Sequence, residues 1–156
     1  MKKIGTYTVR GSIGDGVTDL VDGVEEQVRL FDGRFDTAYK IIEFKIAPGD
    51  QDDPDITARI TTEPNLSTTI VGFWNWGDNR QIAWASNNGS TDVIALDNHS
   101  FVDPDNLVVE DLYISFRFSS ADTKLANYMI TMEKYDITSA KGALAMVRNK
   151  SQGSST

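Results

Sequence analysis

Cysteine is absent from the 156-residue chain. Disulfides, thiolate metal sites and cysteine nucleophiles are therefore excluded together. Histidine is almost absent: His99 is the single one, so any mechanism needing two imidazoles is ruled out. Basic charge is scarce. The 15 lysines and arginines face 23 aspartates and glutamates, a net of −8, with a pI near 4.5. Such a balance disfavours a surface that coats nucleic acid. No run approaches the roughly 18 apolar residues of a membrane span. Met1-Lys2-Lys3 is followed by Ile4-Gly5-Thr6-Tyr7 and not by the apolar stretch of a secretion leader, so no leader is expected. Hydrophobic residues at 40% and charged residues at 24% are ordinary for a folded chain, so disorder is not expected. The length fits one domain over residues 1–150, with a mobile polar tail at 151–156.

The scarce basic charge gathers at the ends. Residues 1–13 carry Lys2, Lys3 and Arg10, and residues 138–156 carry Lys141, Arg148 and Lys150, with no acid in either stretch. Residues 14–137 keep the other 9 basic residues and all 23 acidic ones, a net of −14. Short termini sample charge by chance, which is one reading. The other is that both ends meet something anionic, either packaged genome or the acidic body of a neighbouring copy.

Strand signals dominate the chain. Thr6–Arg10 alternates and is rich in β-formers, and Gly11-Ser12 with Gly14-Asp15-Gly16 reads as the loop that ends it. Gln27–Phe31 and Arg34–Ala47 flank Asp32-Gly33, which predicts a hairpin. In the second run Ile42, Phe44 and Ile46 share one face and Glu43 and Lys45 the other. Asp55–Thr62 alternates Ile56, Ala58 and Ile60 against Thr57, Arg59 and Thr61. Thr68–Trp76 reads as the next strand, with a turn at Gly77-Asp78-Asn79. Gln81–Ala85 and Thr91–Leu96 flank Asn87-Asn88-Gly89-Ser90, a second predicted hairpin, and Asp97–Asn106 reads as a polar loop. Leu107–Ser119 turns Leu112, Ile114, Phe116 and Phe118 to one face, and Leu125–Ile137 does the same with Tyr128, Ile130 and Met132.

Eight or nine such strands, with turns every 8–12 residues or so, predict an all-β, single-domain antiparallel β-sandwich. One short C-terminal helix is expected over about 139–149. Ser139 can cap it, and Ala140, Ala143, Leu144 and Val147 follow the helical spacing. At this length it is marginal alone, so its stripe must dock on its own sheets or on a neighbour.

The candidate chemistry is sparse. Asp50, Asp52, Asp53 and Asp55 form an acidic loop whose oxygens suit calcium, but the glycine and closing glutamate of an EF-hand are missing. Asp15, Asp19 and Asp22 make a second acidic patch of the same kind. No metal and no cofactor is expected. Trp74, Trp76 and Trp84 are the other feature. Two residues apart on a strand, Trp74 and Trp76 would share a face. Flat rings there would stack sugars, or would fill a core or subunit interface. Acids for glycoside hydrolysis could come from Glu43, Glu63, Glu110 or Glu133, but spacing does not say which would face each other. No nucleophile elbow and no phosphate-cradling glycine loop is present, so no catalytic residue is assigned and an enzyme is not expected.

Three stretches carry a family likeness: Trp74-Asn75-Trp76-Gly77-Asp78-Asn79-Arg80-Gln81-Ile82-Ala83-Trp84-Ala85, then Asn106-Leu107-Val108-Val109-Glu110-Asp111-Leu112-Tyr113-Ile114, then Asn127–Thr138 with the short helix after it. Together they resemble small jelly-roll structural proteins of bacterial and marine viruses. The resemblance implies a jelly-roll-like pair of packed sheets, a virion location after synthesis in the host cytoplasm, and no catalytic residues. It also implies a capsid, vertex or decoration subunit with other virion proteins as partners. A closed homo-oligomer, trimer or pentamer, is expected on symmetry grounds. The assembly candidates are Trp74, Trp76, Trp84, Leu144 and Val147. The readings beside it are a carbohydrate-binding module built on the tryptophans and a small acid-catalysed glycoside hydrolase.

Overall fold

A computed structural model describes residues 2–30, 36–49, 55–66, 73–88, 97–119 and 123–137. Among them are eight strands and no helix: β1 (Lys2–Ile13), β2 (Glu25–Val28), β3 (Thr37–Pro48), β4 (Ile56–Thr61), β5 (Gln81–Asn88), β6 (Asp97–Val102), β7 (Leu112–Phe118) and β8 (Ala126–Asp136). They form two antiparallel sheets, a three-stranded one in the order β1-β8-β3 and a five-stranded one in the order β2-β7-β4-β5-β6. The helix expected over 139–149, with Lys141, Leu144, Val147, Arg148 and Lys150, lies outside the described residues.

The apolar faces predicted for the last two strands are the core. Leu112, Ile114 and Phe116 of β7 and Ile130 and Met132 of β8 are fully buried. Ile41, Phe44 and Ile46 join them from β3, and Ile56, Ala58 and Ile60 from β4, in one cluster shared by both sheets. Phe116 and Phe118 stack in parallel planes with centroids 6.3 Å apart. β3 departs from strict alternation at a bulge between Ile41 and Glu43. The bulge lets Ile41 and Phe44 both point inward and leaves Ile42, expected on the buried face, exposed.

Several local readings are corrected. Asp32-Gly33 does not join a hairpin. β2 pairs with β7 and β3 with β8, so the two runs it separates belong to different sheets. Gly11-Ser12 does not end the first strand, which continues against β8 to Ile13. Gly11 is needed there for a close approach, because Tyr128 lies directly across and a Cβ on Gly11 would fall 2.6 Å from its hydroxyl. The break comes at Gly14, at φ +105°, where a Cβ would collide with the Lys124 carbonyl. Asp97–Val102, expected in a loop, is the edge strand β6 and pairs with β5 along its whole length. β5 therefore has a different partner from the expected Thr91–Leu96, which lies outside the described residues. Residues 73–76 of the expected strand Thr68–Trp76 are bend and turn.

Candidate functional site

The register lines up one residue from each strand of the five-stranded sheet on the side away from the shared core. Glu25 of β2 sits opposite Ser115 of β7, Ser115 opposite Arg59 of β4, Arg59 opposite Trp84 of β5, and Trp84 opposite Phe101 of β6. This face does not meet water: Arg59 is 1% exposed and Thr61 is fully buried. The segment Phe73–Arg80 lies over them. The Arg59 guanidinium sits 4.5 Å from the centre of the Phe73 ring and donates a 2.8 Å hydrogen bond to the Phe73 carbonyl. Arg117 approaches the same ring at 5.8 Å. Burial lowers the Arg59 pKa from its ordinary value, and the charges of Asp78 and Glu25 oppose that shift.

The covering segment is braced at each turn. Trp74 Nε1 donates to the Ala58 carbonyl at 3.1 Å. Asn75 N donates to Gln81 Oε1 at 2.8 Å, and the same oxygen accepts from Trp84 Nε1 at 2.8 Å. The Asn75 carbonyl accepts from Asp78 N, the Asn75 side chain from Gly77 N, and the Asp78 carbonyl from Gln81 N, each at 3.0 Å. Asp78 is held by Arg80 through two side-chain hydrogen bonds of 2.9 and 2.8 Å. Burial pushes its carboxyl up, but the bonds from Arg80 outweigh this and hold it below the usual carboxylate value.

This bracing fixes Trp76 on the tip of a rigid turn with 64% of its surface exposed. Its ring stands 5.7 Å from Trp84 and 5.7 Å from Phe101, tilted to each by 51° and 56°. Trp74 meets Phe101 edge-on at 6.3 Å. Between the turn and β6 opens a cleft of about 540 Å³, with Trp76, Trp84 and Phe101 as its aromatic walls and Gln81, Ser100 and Asp103 among its polar ones. The three tryptophans are thus gathered in one place, but not on a strand face. Trp84 is buried, Trp74 is half-buried, and Trp76 is the one presented to solvent. Phe101 joins them from β6, a segment whose polar composition predicts a loop.

The acidic candidates are dispersed. Asp50, Asp52 and Asp53 lie outside the described residues, and Asp55 is exposed at the start of β4. Asp15 accepts from Val17 N and Thr18 N at 2.8 and 2.7 Å, and these backbone bonds, Thr18's first, lower its pKa. Asp19 pairs with Lys124 at 3.2 Å, and Asp22 with Arg117 at 3.2 Å. No group of three or more potential metal ligands is present among the described residues. Glu43 faces Lys45 at 2.8 Å, Glu63 faces Arg80 at 3.9 Å and Glu133 faces Lys3 at 3.0 Å. Lys3 is therefore already held by an acid of its own chain, while Lys2 and Arg10 are exposed along β1. Glu110 is half-buried before β7. Among the described residues no helix is long and apolar enough to cross a membrane. No protein-family model and no curated protein matches the chain.

Proposed function

We propose that the chain is a virion structural subunit: a β-sandwich of jelly-roll winding that assembles with copies of itself. The observation that carries this reading is the nesting of the strand pairs. β1 lies against β8, β2 against β7, and β4 against β5. β3 is bridged to the segment after β6 through Tyr39 and Val108. Outer pairs enclosing inner ones is what a jelly-roll ribbon would produce, its fourth pair here made by β3 and the segment after β6 while β6 itself pairs with β5; such winding is typical of viral capsid and lectin domains. Winding alone does not decide between those uses.

Self-association is favoured by the edge of the three-stranded sheet. β1 is twelve residues long, pairs with β8 on one side, and has no described strand on the other. A long open edge is ordinarily shortened, covered or paired. This one carries Ile4 and Tyr7, each more than half exposed, beside a bulge between Lys3 and Gly5. A neighbouring copy seated along β1 would cover both. It would also bring the basic residues Lys2 and Arg10 against the acidic body of that neighbour, or direct them toward the genome. Closed rings of three or five subunits are the expected form, in the company of other virion proteins.

Sedimentation velocity over a concentration series tests the reading. A closed oligomer is expected, weakened by Tyr7→Glu with the fold retained. A strict monomer at the highest concentration, with no association to virion components, contradicts it.

A further inference from the structure

We propose that the cleft between the Trp76 turn and β6 is a binding site for a neutral saccharide, a role additional to assembly and independent of it. A pyranose ring has an apolar C–H face and a polar edge of hydroxyls. Its site therefore needs an aromatic surface with hydrogen-bonding groups beside it, on a support that does not move. All three are present. Trp76 is 64% exposed, and Phe101, 43% exposed, packs against it with centroids 5.7 Å apart and planes inclined by 56°, so the two rings present one joined aromatic surface. Buried Trp84 packs against Trp76, with centroids 5.7 Å apart, and backs this surface. Ser100, on β6, and Asp103, just beyond it, supply a hydroxyl and a carboxylate at the rim. The support is the cross-braced turn. Gln81 Oε1 ties Asn75 N to the Trp84 indole, so one acceptor locks the turn that carries Trp76 to the strand that carries Trp84.

The chemistry selects the ligand class. A cleft of about 540 Å³ lies within the range of small-molecule sites. The mixture of ring faces and polar groups is poorly matched to a purely apolar partner. The nearby carboxylates and the net charge of −8 disfavour a sulfated or uronate-rich chain, which leaves an uncharged sugar. A mobile exposed tryptophan would have to be ordered on binding, whereas this one is held in advance, which removes part of that cost.

The test is titration calorimetry of the intact chain with chitohexaose, cellohexaose, laminarihexaose and mannohexaose, with a heparin hexasaccharide as the anionic comparison. Saturable binding of at least one neutral hexasaccharide is expected, accompanied by a change in tryptophan emission. Trp76→Ala should weaken it roughly tenfold or more while leaving the melting temperature unchanged, and Trp76→Phe should recover part of the loss. Phe101→Ala, measured in parallel, should weaken it as well. Absence of binding to all four up to about 10 mM overturns the inference. So does preference for the heparin fragment, or binding indifferent to Trp76→Ala and Phe101→Ala. If Trp76→Ala changes the oligomer and leaves saccharide affinity intact, the cleft belongs to a second copy and the saccharide role falls.

Discussion

Replacing Asn106 by alanine removes a clamp whose cost can be worked from its bonds. Asn106 is buried in the loop after β6, and its side chain faces the bulge in β3. Its Oδ1 accepts from Ile41 N at 2.7 Å, and its Nδ2 donates to the Ile41 carbonyl at 2.9 Å and to the Asp103 carbonyl at 2.6 Å. One amide side chain thus takes the place of a strand at the point where β3 loses regular pairing. Two residues away, Tyr39 and Val108 exchange backbone bonds of 2.8 Å in both directions. Alanine would orphan both polar backbone groups of Ile41, a residue 1% exposed. At about 1–2 kcal/mol per orphaned group, plus about 1 kcal/mol for the third bond, the loss is about 3–5 kcal/mol. With a urea slope of about 1–3 kcal/mol/M, the midpoint should fall by roughly 1–5 M. Urea unfolding followed by tryptophan emission, with circular dichroism beside it, reads this directly. Asn106→Asp keeps the acceptor but sets a carboxylate oxygen against two carbonyls. It should be at least as damaging near neutrality and should regain stability in acid, once the carboxyl is protonated and can donate. A midpoint shift below about 0.3 M for Asn106→Ala, with an unchanged slope, would refute the clamp.

Other expectations follow from the same contacts. Phe116→Ala empties a fully buried site stacked on Phe118 and should cost about 3–5 kcal/mol in the same urea assay, with a loss under about 1 kcal/mol counting against its core role. Arg59→Ala leaves the Phe73 carbonyl unpaired and its ring unsupported; it should cost about 2–4 kcal/mol, whereas Arg59→Met, which keeps the packing, should lose clearly less. Tyr128 is pushed up to about 12 by burial, by the charge of Glu26 and by its hydrogen bond to that carboxylate. A raised phenol pKa gives stability that is whole below pH 10, the ordinary tyrosine value, and is lost as pH climbs toward 12. Tyr128→Phe should flatten that alkaline limb in a melting-temperature series, and an unchanged limb would exclude Tyr128 as its cause.

What the sequence disclosed is uneven, and the physical reasons differ by element. β7 and β8 were legible because each alternates cleanly and buries one face: Leu112, Ile114 and Phe116, then Ile130 and Met132, all point inward. β4 was half legible. Alternation identifies Ile56, Ala58 and Ile60, but periodicity cannot say that a remote segment, Phe73–Arg80, will cover Arg59 on the opposite side. The Asp32-Gly33 signal describes local backbone preference, and pairing with β7 and β8 across many residues overrides it. β6 begins Asp97-Asn98-His99-Ser100, a poor set of β-formers that is a strand because β5 lies beside it. At the candidate site the tryptophans are conspicuous in the sequence, but their arrangement is not: spacing by two predicts a strand face, whereas Trp74 lies in a bend and Trp76 in a turn. Gly77, Asp78 and Asn79 mark that turn, and Asn75, which accepts from Gly77 N and Asp78 N, is the signal that extends it back to Trp76. For the clamp at Asn106 no pattern in the chain gives warning, since its partner Ile41 is 65 residues away.

Hydrogen–deuterium exchange of the β1 amides, Lys2 to Arg10, at low and high protein concentration bears most directly on whether this edge receives another copy. Slower exchange along β1 on concentration, lost in Tyr7→Glu, is the predicted result. Exchange along β1 that stays the same across the series, in a sample that sediments as single chains throughout, would contradict it.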